Sequence, residues 1–459
     1  MELTSQLLQF YQNCNYENIP SPVIEVQKHV MIDSLSVMNA AVGSVPDCQP
    51  FARYAKALSQ KGNATILGSE EKATAPLAAL ANGALSHALD FEDSHDTAFV
   101  HSNAVTIPAV LAIAETLPHV TGKEVLAALV LGSEITCRLA LGLNEDLLPY
   151  GWYMPPVHGS IGAVFAAAKI MKLTADQLLD AISLDMNQYT CSGEVVNSQQ
   201  SVMRLVRDGF AAHAAVTSCL LAKAGVRARF EHPFEGNKGY YMAYARGNYT
   251  PEMVTGNLGK VWESGNVSFK PWPCCRATHT TITGLIELAE ESGWDPGNVA
   301  EIHVRVSEML RMVLEEREVK YHPRTVMNAK MSIPFAAALL FTDHDITLDG
   351  FRPERLTDPD IQAIAEKVTY EIVPVHSRQN AQAVEITLIL KDGTRLQKLS
   401  EHALGSLERP MNQEDIYRKY CACIAYSQND HVKKNKDKLF HSLGRLEQCA
   451  DFREVMNLL

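Results

Sequence analysis

The sequence predicts a mainly α protein: a large all-helical domain plus a smaller α+β domain. Three observations carry this. Apolar residues recur at three- and four-residue intervals through the first 230 residues, two stretches between 300 and 400 alternate with period two, and the helical period returns beyond Pro410.

The helical period marks Val23–Val42, Pro76–Leu89, Ala104–Leu117, Val125–Leu143, Ile161–Met171, Leu178–Leu184 and Phe210–Ala224. Thr121 with Glu124, and Thr174 with Gln177, stand at capping-box spacing ahead of two of these runs. The stretch Ala78-Ala79-Leu80-Ala81-Asn82-Gly83-Ala84 has so little side-chain bulk that closely approaching helix axes are expected. This half reads as all-α. After about residue 265, Glu301–Val306 and Val384–Leu390 alternate as strands do. Lys391-Asp392-Gly393-Thr394 is a hairpin turn into Arg395–Lys398. Thr280–Glu291, Met331–Phe341 and Asp358–Val368 read as helices between them. Asn412 is the expected N-cap of a helix over Gln413–Ala425, and a last helix is expected near Val432–Leu446. The expected division is residues 1–265 with 405–459 as the helical domain and 266–404 as the α+β domain.

Charge narrows the function. The 459 residues carry 41 Lys+Arg against 53 Asp+Glu, a net charge of −12, which argues against a nucleic-acid or anionic-membrane surface. Ten cysteines without a CxxC pair suggest reduced thiols rather than a disulfide framework or zinc site. The most membrane-like run, Val125–Leu143, has Glu134 and Arg138 in its middle, whereas a span needs about 20 apolar residues. With no basic-then-apolar leader at the N-terminus, a cytoplasmic protein is expected. Phosphate-loop, dinucleotide, zinc-protease and serine-hydrolase motifs are missing from the sequence.

The densest polar cluster is Asp90-Phe91-Glu92-Asp93-Ser94-His95-Asp96, followed by His101-Ser102-Asn103. Three readings fit it: helix-end capping, a metal site, and acid–base catalysis by a histidine oriented by a carboxylate or hydroxyl. A second cluster, Gly151-Trp152-Tyr153-Met154-Pro155-Pro156-Val157-His158-Gly159, reads either as an anion-binding loop before a helix N-terminus or as a plain connection with a core Tyr and His. Cations gather at Arg204 with Arg207, and at Lys270 with Arg276. In an acidic chain these suggest an organic-acid ligand, since guanidinium groups grip carboxylates bidentately. Singly, each is more often a surface ion pair. Cys274-Cys275 reads as buried packing.

Taken in order, these loops resemble the MmgE/PrpD family, which includes 2-methylcitrate dehydratase and cis-aconitate decarboxylase. The landmarks are Ile32-Asp33-Ser34-Leu35 with Gly43, His87-Ala88-Leu89-Asp90-Phe91-Glu92-Asp93-Ser94 with His101-Ser102, and Gly151-Trp152 with Gly159 and Gly162. Phe234-Glu235-Gly236 with Gly239, Lys270 with Pro273-Cys274, and Ser332-Ile333-Pro334 complete the set. The resemblance covers nearly the whole chain. It implies a homodimer, no metal or organic cofactor, an active site between the domains, and proton movement next to a carboxylate of a small di- or tricarboxylate. By motif position it assigns the family's active-site Asp to Asp90, its hydroxyl to Ser94, its loop His to His101 and its lid Lys to Lys270. Three positions depart: Tyr153 stands where the decarboxylase has His, Arg204 where it has Lys, and Cys275 where it has another His. A phenol, with a pKa near ~10, is not the same proton shuttle at neutral pH as an imidazole.

The expected function is therefore a dehydratase-like lyase. His101, oriented by Asp90 or Ser94, moves the proton, and Tyr153 donates one to a leaving hydroxyl. Arg204, Arg207, Lys270 and Arg276 hold carboxylates and developing charge, with His158 and Cys275 lining the substrate. An epimerase, isomerase or decarboxylase of a related acid, or a non-catalytic carboxylate-binding homologue, are the alternatives.

Overall fold

The computed structural model describes residues 2–198, 201–292, 296–374 and 381–459. The chain divides into two compact units, Met1–Val267 with Asn412–Leu459, and Ser268–Met411.

The first unit is built from helices. Ser21–Ser44, Ala75–Ser86, Thr106–Thr116, Gly122–Leu141, Pro155–Ile170, Ala175–Met186 and Met203–Lys223 match the seven periodic runs, with shifted ends. Both expected capping boxes form: the backbone N–H of Glu124 bonds Thr121 Oγ1 (3.2 Å), that of Gln177 bonds Thr174 Oγ1 (3.2 Å), and each acid or amide reaches back. Close helix approach is also realised. A Cβ on Gly83 would lie 2.6 Å from the Cα of Gly209, so Ala75–Ser86 and Met203–Lys223 touch backbone to backbone. A Cβ on Gly162 would meet Thr136 Oγ1 at 2.0 Å, which fixes Pro155–Ile170 against Gly122–Leu141. The exception to an all-α half is a short antiparallel pairing of β1 (Ala64–Thr65) with β2 (Lys72–Ala73). Among the described residues no helix is long and apolar enough to cross a membrane. Glu134 and Arg138 are buried and paired (2.5 Å). Arg138 also donates to the carbonyls of Gly256 (2.9 Å) and Val261 (2.8 Å).

Asn412 caps Gln413–Tyr426 through a third capping box, and this helix packs along Ser21–Ser44. Asp430–Gly444 follows.

In the second unit a four-stranded sheet has the order β4-β3-β5-β6: β3 is Val299–Ser307, β4 Val368–Val373, β5 Val384–Leu390 and β6 Arg395–Ser400. β3 runs parallel to β4 (Ile302 opposite Val368) and antiparallel to β5 (Val304 opposite Ile386). The β5–β6 hairpin turns at Gly393, whose φ of 90° suits glycine. Ile302, Val304, Val306, Val384, Ile386 and Leu388 point to one face, in a core shared with Leu285 and Leu288 of Arg276–Ser292 and Phe335 and Leu339 of Ile333–Asp343. The sequence reading carried a helix to Val368. The helix is instead Pro359–Ala365, and the alternating, β-branched Val368-Thr369-Tyr370-Glu371-Ile372-Val373 pairs with β3 as a strand.

Candidate active site

The helix expected to run to Leu89 stops at Ser86, and the break builds the site. The Asp90 N–H bonds the His87 carbonyl (2.9 Å), closing a turn that leaves Asp90 at φ 50°, a left-handed conformation costly for a residue with a side chain. Such strain persists only where surrounding contacts enforce it. Here the C-terminal segment does so. Lys419, buried, pairs with Asp33 (2.5 Å), donates to the Phe91 carbonyl (2.7 Å) and lies 4.0 Å from the Phe91 ring centre.

The next residue, Glu92, is buried and gathers two imidazoles. Its Oε1 faces His87 Nδ1 in a short contact and His101 Nδ1 at 2.9 Å, while Oε2 accepts the Phe91 N–H (3.0 Å). Burial alone would raise this carboxyl, but His87 and His101 hold it well below the usual carboxylate range. Burial and the nearby Arg207 charge push His87 below its ordinary value, so it is neutral at pH 7. The two rings lie 4.5 Å apart at 57°. One ligand-type atom each of His87, Asp90 and His101 fall within 4.8 Å of one another. The structure thus brings Asp90 and His101 together, in a spacing that suits a cation or a proton relay.

Asp93 accepts from Ser102 Oγ (3.1 Å) and Asn103 Nδ2 (3.0 Å). Burial pushes its carboxyl up to about 6, against the Asn103 bond. Its carbonyl oxygen lies 3.0 Å from His101 Nδ1. Ser94 Oγ is buried with no hydrogen-bond partner among the described residues. His95 fastens the loop instead: it pairs with Glu263 (3.1 Å) and accepts the Ala98 N–H (3.0 Å).

Arg204 and Arg207 lie on the first turns of Met203–Lys223, which begins seven residues before the expected Phe210. The Arg207 guanidinium is buried, sits 4.9 Å from the Tyr153 ring centre, and bonds the Arg204 carbonyl closely. Burial opposes its charge, but Asp208, 3.8 Å away, and Tyr153 keep it protonated. Its Nε has no partner among the described residues. Arg204 and Tyr153 are half-buried.

The second cluster differs from expectation. The helix begins at Pro155, not near Ile161, so His158 and Gly159 are helical rather than in a loop. Pro155 and Pro156 carry no N–H, and those of Val157 and His158 bond Met154 O (2.9 and 3.0 Å), so this helix start offers little to an anion. His158 is buried against Tyr240, whose hydroxyl lies 2.6 Å from Nδ1, and burial pushes its pKa down to about 3. It is a satisfied core histidine.

In the second unit Lys270 is fully buried and Arg276 opens its helix, with Nη1 donating to Leu404 O (3.1 Å). Cys274 is buried beside Thr278 (3.1 Å) and His279 (3.5 Å), as packing. Cys275 is only half-buried, which corrects the expectation that both cysteines are core, and its N–H bonds Lys330 O (2.9 Å). Sequence reasoning passed over the roles of His87, Glu92, Asp93 and Lys419. The first three lay in plain view as acids and a histidine beside chosen ones; Lys419, 328 residues from its partner Phe91, gave no local signal.

The MmgE/PrpD N-terminal domain model matches residues 5–252 and the MmgE/PrpD C-terminal domain model matches residues 272–443. The cis-aconitate decarboxylase of Aspergillus terreus is 25% identical, over 99% of this chain and 96% of its own. That of Mus musculus is 25% identical over 93% of this chain and 88% of its own, and that of Homo sapiens 24% over 93% and 89%. With two domain models matched in order along most of its length, the chain belongs to the MmgE/PrpD family.

Proposed function

We propose that this protein is a lyase of a small di- or tricarboxylate, acting by proton transfer at a carbon next to a carboxylate. The observation that carries the reading is the convergence of His101 and Asp90 in a strained, clamped loop of an MmgE/PrpD chain. His101 takes the proton, and Asp90 and Ser94 contact the reacting part of the substrate. Arg207, whose Nε has no partner among the described residues, and Arg204 grip a carboxylate. Lys270 and Arg276 are assigned further carboxylate contacts, with Cys275 lining the substrate. The electron pair of the broken C–H bond forms the C=C bond as hydroxide departs, protonated by Tyr153, so that water is lost.

Decarboxylation is the second reading, favoured by the names of the relatives, all of them cis-aconitate decarboxylases among those given above. Incubation with 2-methylcitrate, citrate and cis-aconitate, followed by proton NMR and CO₂ capture, separates the two. An unsaturated acid formed without CO₂ supports dehydration, and CO₂ release supports decarboxylation. Deuterium exchange in D₂O with no new product would indicate an epimerase, and thermal stabilisation by an acid that is never converted would overturn catalysis altogether. The family resemblance also leads us to expect a homodimer in the cytoplasm; sedimentation velocity tests the first.

A further inference from the structure

Both carboxylate oxygens of Glu92 are engaged by the protein itself. Oε2 holds the Phe91 N–H and Oε1 receives two imidazole nitrogens, and its side chain is 1% exposed. An ionised carboxylate in such a place is costly unless its donors fully compensate it. The donors differ in kind. His87 is as buried as Glu92, with 4% exposure, and cannot meet a small molecule without rearrangement; His101, at 19%, can. Both of its Nδ1 neighbours, Glu92 Oε1 and the Asp93 carbonyl, are acceptors. The Nδ1 proton is therefore fixed, and the lone pair resides on Nε2.

We propose that Glu92, rather than Asp90 or Ser94, is the positioning residue that, together with the Asp93 carbonyl, fixes the tautomer of His101, and that its charge stabilises the imidazolium formed when His101 takes a proton. The proposal rests on the reading of His101 as the proton carrier. His87 acts as a neutral second donor that holds Glu92 in place. Charged and titratable groups facing this array among the described residues include Asp90 and Asp93 on the same loop, and Arg207 from Met203–Lys223, which acts on His87. Asp33 lies behind Asp93 and is paired with Lys419. Arg207 disfavours a proton on His87.

The full chain, labelled with ¹⁵N-histidine and with His101 assigned through His101→Gln, provides a test that needs no substrate. In the wild type, His101 carries its proton on Nδ1. In Glu92→Gln its titration midpoint falls by about one pH unit or more, because the charge is gone while the Asp93 carbonyl still accepts from Nδ1; His87→Gln leaves the tautomer unchanged. If the wild type turns over one of the three acids, Glu92→Gln lowers kcat by about 10²–10⁴-fold with little change in KM, and its acid limb moves to lower pH. Glu92→Asp, which keeps the charge but shortens the reach, recovers part of the loss; it also serves if the Gln variant fails to fold. An unchanged His101 midpoint in folded Glu92→Gln, or equal kcat, overturns the role given to Glu92 and leaves the lyase reading standing. A coupled His101 in a protein that converts none of the acids does the reverse.

Discussion

Two histidines of the helical unit, His101 and His158, were both singled out by sequence, and their surroundings could hardly differ more. His158 sits inside a helix with one neutral partner, the Tyr240 hydroxyl, in an aromatic group that includes Phe234, Tyr241 and Tyr244. Burial keeps it uncharged. His101 sits past a broken helix end, partly exposed, against a carboxylate shared with a second imidazole. A histidine surrounded by rings is a packing element; one set against charge that the fold has gone to some cost to bury is prepared for proton transfer.

The largest way to break this contrast lies behind the His101 loop. Lys419→Met leaves Asp33 buried without its cation and the Phe91 carbonyl without its donor, and should destabilise the protein by about 3–5 kcal/mol in denaturant unfolding. Tm and activity should fall together while the His158 surroundings are untouched. Next is Tyr240→Phe, which strips the hydroxyl from His158 and leaves a buried ring nitrogen unpaired, at about 1–3 kcal/mol. Turnover per folded molecule should be unchanged. Acid then sharpens the difference. His158 stays neutral in the folded protein down to about pH 3, whereas the unfolded chain protonates it below about 6.5. Its contribution is fully present above pH 6.5 and is lost as pH falls, by up to about 1.4 kcal/mol per unit. Unfolding curves of His158→Asn should be flatter between pH 6 and 4, which calorimetry reads directly. The smallest effect belongs to Thr174→Ala, remote from both histidines, which removes one capping box for about 1 kcal/mol and should alter neither pH profile nor turnover.

The sequence made visible what depends on neighbours along the chain. Capping boxes at 121 and 174, the helix periods, the hairpin at Gly393 and the grouping of Asp90 with His101 are all set within about a dozen residues. Helix ends were less legible, because tertiary contacts moved them. The Ala75–Ser86 helix stops where Glu92 captures His87 and the Phe91 N–H, and Pro155 starts its helix early enough to take His158 out of any loop. β4 was hidden because Val368 closes an apolar run that suits a helix until β3 offers it a partner. Lys419 was beyond reach, since its role exists only when the chain's last helices return to Asp33 and Phe91.

On the reading proposed above, His101 moves a proton to or from carbon. Proton NMR of 2-methylcitrate, citrate and cis-aconitate in D₂O, with wild type and His101→Asn side by side, addresses it most directly. Wild type is expected to place solvent deuterium at, or remove hydrogen from, the carbon beside a carboxylate, and the variant, still folded, to do so at least about 10²-fold more slowly. Equal rates in the two proteins would contradict it.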